Sequence, residues 1–296
     1  MSRIVPDLVR EAIRTLAAAG VPSPEHDAWA LLVHATGLRR ETLLALERRL
    51  DGPECPGDLD GVEEFDACVA RRARREPLQH ITGVAHFRHL SLAVGPGVFV
   101  PRPETEVVAG AAIEAAEGVV ASGRAPVVVD LGTGSGAIAL AVADEAPSAR
   151  VHAVEADPAA FVWAARNCRG TRVLLRQGDM ADAFPELDRH ADVVVSNPPY
   201  IPLGAHVRDP EVADHDPARA LWSGPDGLDA IRVVEQVAAR LLRPGGLVVV
   251  EHADLQGRSA PAVFTDAGRW EAVADHRDLA GRDRYLTGVR ARADCP

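Results

Sequence analysis

The fold of this chain of 296 residues is decided by Val127-Val128-Val129-Asp130-Leu131-Gly132-Thr133-Gly134-Ser135-Gly136. Its apolar first half predicts a buried strand, and its glycines predict a tight turn into a helix that begins at Ala137. Glycines at such a turn let the backbone approach a ligand at the helix N-terminus. The stretch therefore predicts an α/β fold with a ligand site at this turn.

Strand and helix patterns alternate after this stretch. Strands are predicted at Arg150–Glu155, 172–177, Ala191–Ser196 and 247–252, and further strands near 270–274 and 284–290. This alternation is typical of an open α/β sheet, in which ligands bind beyond the carboxyl ends of the strands. The residues that end these strands are therefore the candidates for a site.

Acidic residues end the first two strands. Glu155 follows the glycine turn by about twenty residues, the distance at which an acid accepts hydrogen bonds from ribose hydroxyls. Gly132, Gly134 and Ala137 also satisfy a lenient dinucleotide fingerprint, but a carboxylate at Asp130 would repel a pyrophosphate. S-adenosylmethionine carries an ammonium and a sulfonium and no phosphate, so it fits these two acids better.

The third predicted strand leads into Gly178-Asp179-Met180. Asp179 fits two interpretations, an acceptor for the amino group of adenine or a turn former. Met180 is a candidate to pack on the adenine ring. Asp157 precedes Pro158 at the start of a predicted helix, and this arrangement indicates a helix cap rather than a ligand contact.

The fourth strand ends in Asn197-Pro198-Pro199-Tyr200. Two prolines have fixed φ and no N–H, so this turn is stiff. It can hold the side-chain oxygen of Asn197 and the carbonyl of Pro198 as two acceptors that face one point. Such a pair suits a nitrogen with two hydrogens, in an amide or an exocyclic amine, and the Tyr200 ring can pack on that planar group. An ordinary proline-rich turn is the alternative.

The remainder of the chain divides into three predicted parts. We expect a small helical recognition domain at 1–76, a β-hairpin linker at 77–103 and the catalytic domain at 104–296. The basic run at Arg71–Arg75 fits either a helix C-terminus or a docking patch for an acidic partner. Arg102 fits an anionic ligand group and a local carboxylate equally well.

Composition narrows the class of protein. With 43 acidic against 32 basic residues, the net charge is −11, which argues against an extended nucleic-acid footprint. The four cysteines show no metal-ligand spacing, so we expect reduced thiols and no metal. The N-terminus lacks the apolar core of a signal peptide, and no apolar run reaches membrane-spanning length. A cytoplasmic monomer without membrane contact is expected.

These motifs together resemble one family, the bacterial release-factor glutamine methyltransferases of the HemK or PrmC type. The similarity extends over nearly the whole chain. It rests on the glycine turn and Asn197–Tyr200, and on four further segments: Pro77-Leu78-Gln79-His80-Ile81-Thr82-Gly83, Val100-Pro101-Arg102-Pro103-Glu104-Thr105-Glu106, Asp226-Gly227-Leu228-Asp229 and Asp278-Leu279-Ala280-Gly281-Arg282. The segment around Arg102 is more specific than the Asn-Pro-Pro-Tyr motif, which methyltransferases of DNA and RNA bases share.

The resemblance implies N5-methylation of the glutamine in the Gly-Gly-Gln loop of class I peptide-chain release factors. It implies a seven-stranded Rossmann-like domain in which the glycine turn (Gly132, Thr133, Gly134, Ser135, Gly136), Glu155, Met180 and Asn197 bind S-adenosylmethionine. Asn197 to Tyr200 would hold the glutamine. The chain has Glu155 where members often have Asp, and Met180 where some have an aromatic ring.

Two other functions use the same residues. The first is N-methylation of an exocyclic amine of adenine or guanine in a nucleic acid, against which the net charge of −11 counts. The second is a module that binds the cofactor or a partner without turnover, against which the intact Asn197 and Tyr200 count.

Overall fold

The computed structural model of the chain describes residues 4–48 and 59–292. These residues form two compact units. The first contains the chain up to Val84 together with Val207–His215, and the second contains Ala85–His206 and the chain from Asp216 onward. The short segment Val207–His215 thus belongs to the first unit, although it interrupts the second in sequence.

The first unit is helical, as its sequence pattern predicts. Its helices are α1 (Val5–Ala18), α2 (Pro24–Thr36), α3 (Arg40–Arg48), α4 (Val62–Ala73) and α5 (Leu78–Thr82). One apolar stripe of α1 is buried, at Val5, Leu8, Val9, Ala12 and Leu16. This stripe packs with side chains of α2 and α4 into a single core. The glycine- and proline-containing segment 52–57, whose sequence predicts a loop, lies outside the described residues.

The predicted hairpin, β1 (Val84–Phe87) and β2 (Leu90–Ala93), lies in the second unit except for Val84, and α6 (Thr105–Ala121) follows it. The larger sheet of this unit contains β3 (Val127–Leu131), β4 (Arg150–Glu155), β5 (Leu174–Gln177), β6 (Ala191–Ser196), β7 (Leu242–Glu251), β8 (Trp270–Arg277) and β9 (Asp283–Arg290). The helices after α6 are α7 (Ala137–Glu145), α8 (Pro158–Asn167), α10 (Ala218–Leu221), α11 (Asp229–Leu241) and α12 (Ser259–Asp266), while α9 (Pro210–His215) belongs to the first unit.

The seven strands follow the order β5-β4-β3-β6-β7-β9-β8. All neighbours are parallel except β9, which runs antiparallel to β7 and β8. From β3 the chain first adds β4 and β5 on one side of the sheet, and then returns to add β6 on the other side of β3. The direction of strand addition therefore reverses between β3 and β6. Ligands bind at such a reversal in open α/β sheets, so β3 and β6 place their carboxyl ends where a site is expected.

Side chains of the central strands alternate between two apolar cores. Val128, Val193 and Val195 pack with α6 and α7 on one face. Val129 and Val194 pack with α11 and α12 on the other. Because both faces are covered, all five residues of β3 and all six of β6 are buried. This explains why these strands appear in the sequence as continuous apolar runs.

Two details differ from the sequence prediction. Strand β7 begins at Leu242 rather than 247, because Leu242 pairs with Ala191 before the register shifts and Leu247 pairs with Val193. Residues 243–246, whose Arg-Pro-Gly-Gly sequence predicts a turn, therefore form an irregularity inside the strand. Helix α5 was not predicted, since five residues are too few to show a helical period.

Candidate active site

The glycine turn lies between the end of β3 and the start of α7. Gly132, Gly134 and Gly136 have φ of +72°, +59° and +88°, a region that suits glycine. A Cβ atom added at Gly132 or Gly134 would meet nothing within 4 Å. The turn thus leaves open space beside its backbone, where a ligand can approach closely.

Asp130 supports this turn from inside the fold. Its side chain is fully buried, and its Oδ2 accepts hydrogen bonds from the Thr133 hydroxyl at 2.5 Å and from the Ala139 amide at 3.1 Å. Burial raises the pKa of Asp130 to about 7, while the Thr133 bond opposes the shift. Within the described residues its Oδ1 has no hydrogen-bond partner. Its role as a direct cofactor contact stays a prediction, and the contacts seen here are with the turn itself.

Glu155 lies beside the same turn at the end of β4. Its Oε2 accepts from the Gly134 amide at 2.8 Å, and its Oε1 accepts from the Asp157 amide at 2.7 Å. A carboxylate offers about four acceptor positions, so Glu155 is still able to accept from a ribose hydroxyl. Burial raises the pKa of Glu155, and these backbone N–H groups oppose that shift. Asp157 is the helix cap that the sequence predicts, since its Oδ1 accepts from Ala159 at 2.8 Å.

Asp179 and Met180 follow β5, which lies next to β4 in the sheet. The Asp179 Oδ1 accepts from the Ala181 amide at 3.0 Å, so the turn interpretation holds for one of its oxygens. Asp179 is otherwise exposed, and Met180 is half-buried against the apolar core. Their contact with adenine stays a prediction.

Asn197 follows the end of β6, directly beside β3. The Ser196 hydroxyl donates to the Leu131 carbonyl at 2.7 Å, which ties the last residues of these two strands together. The Asn197 side-chain nitrogen donates to the Thr105 hydroxyl at 3.3 Å. The amide oxygen of Asn197 is therefore left as an acceptor, as the motif requires.

Tyr200 closes the motif and is held from several sides. Its hydroxyl donates to Glu251 Oε1 at 3.4 Å, and its carbonyl accepts from the Gln256 side-chain amide at 3.1 Å. The same Gln256 nitrogen donates to the Gly227 carbonyl at 3.3 Å. Burial raises the pKa of Tyr200 far above its ordinary value, with the Glu251 carboxyl adding to the shift. Tyr200 therefore remains a neutral hydrogen-bond donor.

Thr105, Glu251 and Gln256 were not recognised as site residues from the sequence. Thr105 begins α6 within the segment around Arg102, and Glu251 ends β7, the neighbour of β6. The strand-end rule missed Glu251 by one position, because the strand was predicted to run to residue 252 and β7 ends at Glu251. No local pattern identifies Gln256, which reaches Tyr200 from a short 3-10 helix (Asp254–Gln256) after β7.

Arg102 pairs with a local carboxylate. Its Nη2 lies 2.7 Å from the Oδ2 of Asp216, whose side chain is fully buried. Its guanidinium also lies over the Phe99 ring, 5.0 Å from the ring centre. Of the two interpretations open from the sequence, the structure favours the local carboxylate over an anionic ligand.

The basic run Arg71–Arg75 makes its contacts inside the helical unit. Arg72 is buried and lies 2.7 Å from both Asp27 Oδ2 and Glu211 Oε1. Arg75 Nη2 lies 3.0 Å from the same Glu211 oxygen. The acidic partner that the run accommodates is therefore Val207–His215 of its own chain, while Arg74 stays exposed.

The described residues contain one group of three side chains that could bind a metal ion. The ligand atoms of His34, Glu64 and Cys68 all lie within 4.8 Å of one another. Burial and the nearby Glu64 raise the pKa of the Cys68 thiol to about 11, which disfavours the thiolate that binds metals. The absence of a metal stays a prediction from sequence. Among helices in the described ranges, none combines the length and hydropathy needed to cross a bilayer.

Two family models match the chain. The PrmC N-terminal domain covers residues 7–83, and the Methyltransferase small domain covers residues 113–209. The second match fits the seven-stranded sheet and the site at its carboxyl edge. The larger unit is thus a Rossmann-like methyltransferase domain, of the class that uses S-adenosylmethionine.

Curated relatives narrow this class. The release factor glutamine methyltransferase of Streptomyces coelicolor is 53% identical, over 96% of this chain and 97% of its own length. That of Mycolicibacterium smegmatis is 47% identical, over 95% of this chain and 96% of its own. A 4-amino-L-phenylalanine/4-methylamino-L-phenylalanine methyltransferase of Streptomyces pristinaespiralis is 43% identical, over 88% and 92%. The chain belongs to the release factor glutamine methyltransferase family.

Proposed function

We propose that this protein methylates the side-chain N5 of the glutamine in the Gly-Gly-Gln motif of class I peptide-chain release factors. The observation that carries the proposal is the orientation of Asn197. Because its nitrogen donates to Thr105, its oxygen is the acceptor that remains, one residue before the Pro198 carbonyl. Two acceptors on a stiff turn suit an amide NH2 group.

The glycine turn and Glu155 would hold S-adenosylmethionine, which supplies an electrophilic methyl group when bound. The open space beside Gly132 and Gly134 admits a ligand close to the backbone. The lone pairs that remain on Glu155 accept from ribose hydroxyls. Asp130 keeps the turn in shape through Thr133, in addition to the direct cofactor contact that the sequence predicts.

The chemical difficulty is that an amide nitrogen is a poor nucleophile, because its lone pair is delocalised. Asn197 and the Pro198 carbonyl each accept one N–H and direct the lone pair toward the methyl group. Positive charge builds on that nitrogen as its bond to carbon forms, so both acceptors bind the transition state more tightly than the substrate. Tyr200 packs on the amide plane. The proton then leaves the methylated nitrogen to water.

A second candidate is N-methylation of a small aromatic amine. It is favoured by the relative from Streptomyces pristinaespiralis, whose name states a 4-amino-L-phenylalanine substrate. An aromatic NH2 also offers two hydrogens to Asn197 and Pro198. Glutamine methylation and aromatic-amine methylation thus use the same contacts to an NH2 group and differ in the rest of the substrate. A nucleic-acid exocyclic amine offers the same NH2 group and is the third substrate class to assay.

One assay separates these substrates. Labelled S-adenosylmethionine is incubated with an unmethylated release factor, with its Gln→Ala loop variant, with 4-amino-L-phenylalanine and with a nucleic acid. We expect label on the wild-type release factor alone. Label on the small amine or the nucleic acid, with the release factor unlabelled, would overturn the proposal. The proposal that the protein acts as a monomer is tested separately by light scattering of the purified enzyme.

A further inference from the structure

A chain of polar groups joins the first and last residues of the Asn-Pro-Pro-Tyr motif. The Asn197 nitrogen donates to the Thr105 hydroxyl at 3.3 Å, and the Tyr200 hydroxyl donates to Glu251 Oε1 at 3.4 Å. The Thr105 and Tyr200 hydroxyls both oppose the rise in the pKa of Glu251 that burial causes, which indicates that both lie near that carboxyl. Both ends of the motif therefore meet at one carboxyl group.

The direction of these hydrogen bonds follows from the chemistry of the groups. An amide nitrogen only donates and a carboxylate only accepts, whereas a hydroxyl has a single hydrogen to give. Thr105 accepts from Asn197, so its own hydrogen remains available for the nearby Glu251 carboxyl. A hydrogen given to Glu251 leaves none for the oxygen of a flipped Asn197 amide, so this arrangement favours the orientation in which the Asn197 oxygen faces the substrate.

Three separate elements bring these groups together. Ser196 pairs with Val250, so Asn197 and Glu251 are the next residues of adjacent parallel strands. Thr105 is the first residue of α6. Glu251 is 2% exposed and Thr105 is 4% exposed, and Glu251 Oε2 has no hydrogen-bond partner in the described part of the chain. A buried carboxyl with an unfilled oxygen destabilises a fold, which points to a role other than stability.

We propose that Thr105 and Glu251 are positioning residues for methyl transfer. They fix the amide orientation of Asn197 and the ring of Tyr200 before the substrate arrives. This inference rests on the proposed function, since it assigns Asn197 and Tyr200 to the reacting amide. Neither positioning residue contacts the substrate in this scheme, and both act through the motif.

The charge on Glu251 depends on its surroundings. Burial raises its pKa to about 7, while Arg284, Thr105 and Tyr200 favour the charged form and Glu104 opposes it. The charged form accepts from Thr105 and Tyr200 together. Turnover should therefore rise as the pH increases through about 7, and Glu251→Gln should remove that inflection.

Kinetics provide the first test. Thr105→Val removes the hydroxyl and preserves the shape, and Thr105→Ser restores the hydroxyl. We expect Thr105→Val to lower kcat by roughly ten- to a hundredfold, with KM for both substrates nearly unchanged, and Thr105→Ser to recover most of it. Thr265→Val on α12 is the matched control, because this exposed threonine bonds only to Pro261 within its own helix.

Nuclear magnetic resonance provides a test that does not depend on turnover. The sequence has two asparagines, Asn167 and Asn197, and two tyrosines, Tyr200 and Tyr285. Labelled asparagine thus gives two side-chain amide signals. We expect Thr105→Val to speed hydrogen exchange at Asn197 alone, because Asn167 bonds to Ala93 and Ser135. With labelled tyrosine, Glu251→Gln should shift the ring signal of Tyr200 and leave the ring signal of Tyr285 unchanged.

The outcomes separate the two proposals. If wild-type protein binds the cofactor but does not methylate the release factor, the proposed function fails, and the resonance data still decide whether Thr105 and Glu251 orient the motif. If wild-type protein is active, an unchanged kcat in Thr105→Val overturns the positioning role. An Asn197 signal that is unaffected by Thr105→Val also overturns it.

Discussion

The α-carbon of Gly227 lies against the carbonyl of Tyr200, and a Cβ added to Gly227 would stand 2.4 Å from that oxygen. Gly227 also has a φ of +77°. The backbone after Tyr200 therefore reaches its position only because residue 227 has no side chain. The Asp-Gly-Leu-Asp segment of the family supports the motif through this close approach.

Gly227→Ala should consequently displace Tyr200 and reduce methyl transfer by at least tenfold. Gly204→Ala is the matched control, because Gly204 has a similar φ of +82° and a Cβ there would meet nothing within 4 Å. Both variants carry the same backbone strain, about 1 kcal/mol. Steady-state kinetics on folded protein decide the matter, and equal losses in the two variants would contradict this role of Gly227.

Asn197→Ala removes one of the two acceptors for the substrate amide. We expect kcat to fall by roughly 10²–10³, the usual loss for one preorganised group. Cofactor binding should weaken much less, because the glycine turn and Glu155 remain intact. Single-turnover rates and calorimetric titration with S-adenosylmethionine measure the two effects. Near-normal turnover would show that the assigned mechanism is wrong.

Glu155→Ala should weaken cofactor binding rather than the chemical step. The variant loses the ribose acceptors and also releases the Gly134 and Asp157 amides that Glu155 now holds. Hydrogen bonds to a charged group contribute about 1.5–3 kcal/mol, so the Kd should rise by roughly ten- to a hundredfold. Glu155→Asp, which keeps a carboxylate one methylene shorter, should retain most of the affinity. A Kd unchanged in Glu155→Ala would exclude the ribose contact.

Arg72→Ala tests the buried ion pairs of the helical unit. The substitution leaves Asp27 without its buried cation and removes one of two arginines from Glu211. Breaking a buried pair costs about 3–5 kcal/mol. Arg74→Ala, on an exposed side chain of the same run, should change stability by less than about 0.5 kcal/mol. Urea denaturation followed by circular dichroism compares the two variants, and equal midpoints would contradict the prediction.

Stability should fall as the pH rises from about 4.5 toward 7. Burial raises the pKa of Glu251 from 4.5 to about 7, so the native state binds more protons than the unfolded state in that window. The free energy of unfolding then decreases with pH, by about 3 kcal/mol for this group across the window. Glu251→Gln removes this term, and its unfolding free energy should vary less with pH. Parallel curves for variant and wild type would disprove the assignment. Asp130, with a pKa raised to about 7, contributes a similar slope to both proteins.

Most of the fold could be predicted from the sequence, because its signals are local. Continuous apolar runs predicted β3 and β6, since both strands are covered on both faces. Asp157 before Pro158 predicted a cap, because a cap depends on two neighbouring residues. The rule that sites form at the carboxyl ends of parallel strands also placed Asn197 beside the glycine turn.

The features of the site that could not be predicted depend on contacts between segments that are far apart in the sequence. A strand-end position fixes the edge at which Asp130 lies, but its direction toward Thr133 and the interior depends on the packing of α7. Thr105 reaches Asn197 across 92 positions of sequence. The pairing of Arg72 with Glu211 spans 139 positions, so no window of sequence contains it.

Residues 207–215 also bear on how chimeras of this family should be built. A cut near residue 84 follows the end of the N-terminal family model at residue 83, but it separates the two segments of the helical unit. A hybrid that exchanged only the residues before that cut would combine Arg72 and Arg75 of one relative with the 207–215 segment of another. Glu211, the carboxylate that pairs with Arg72 and Arg75, would then be replaced by the corresponding residue of the other relative. The helical unit consists of two separate segments of sequence, the chain up to residue 84 and residues 207–215. A working hybrid has to exchange both segments together.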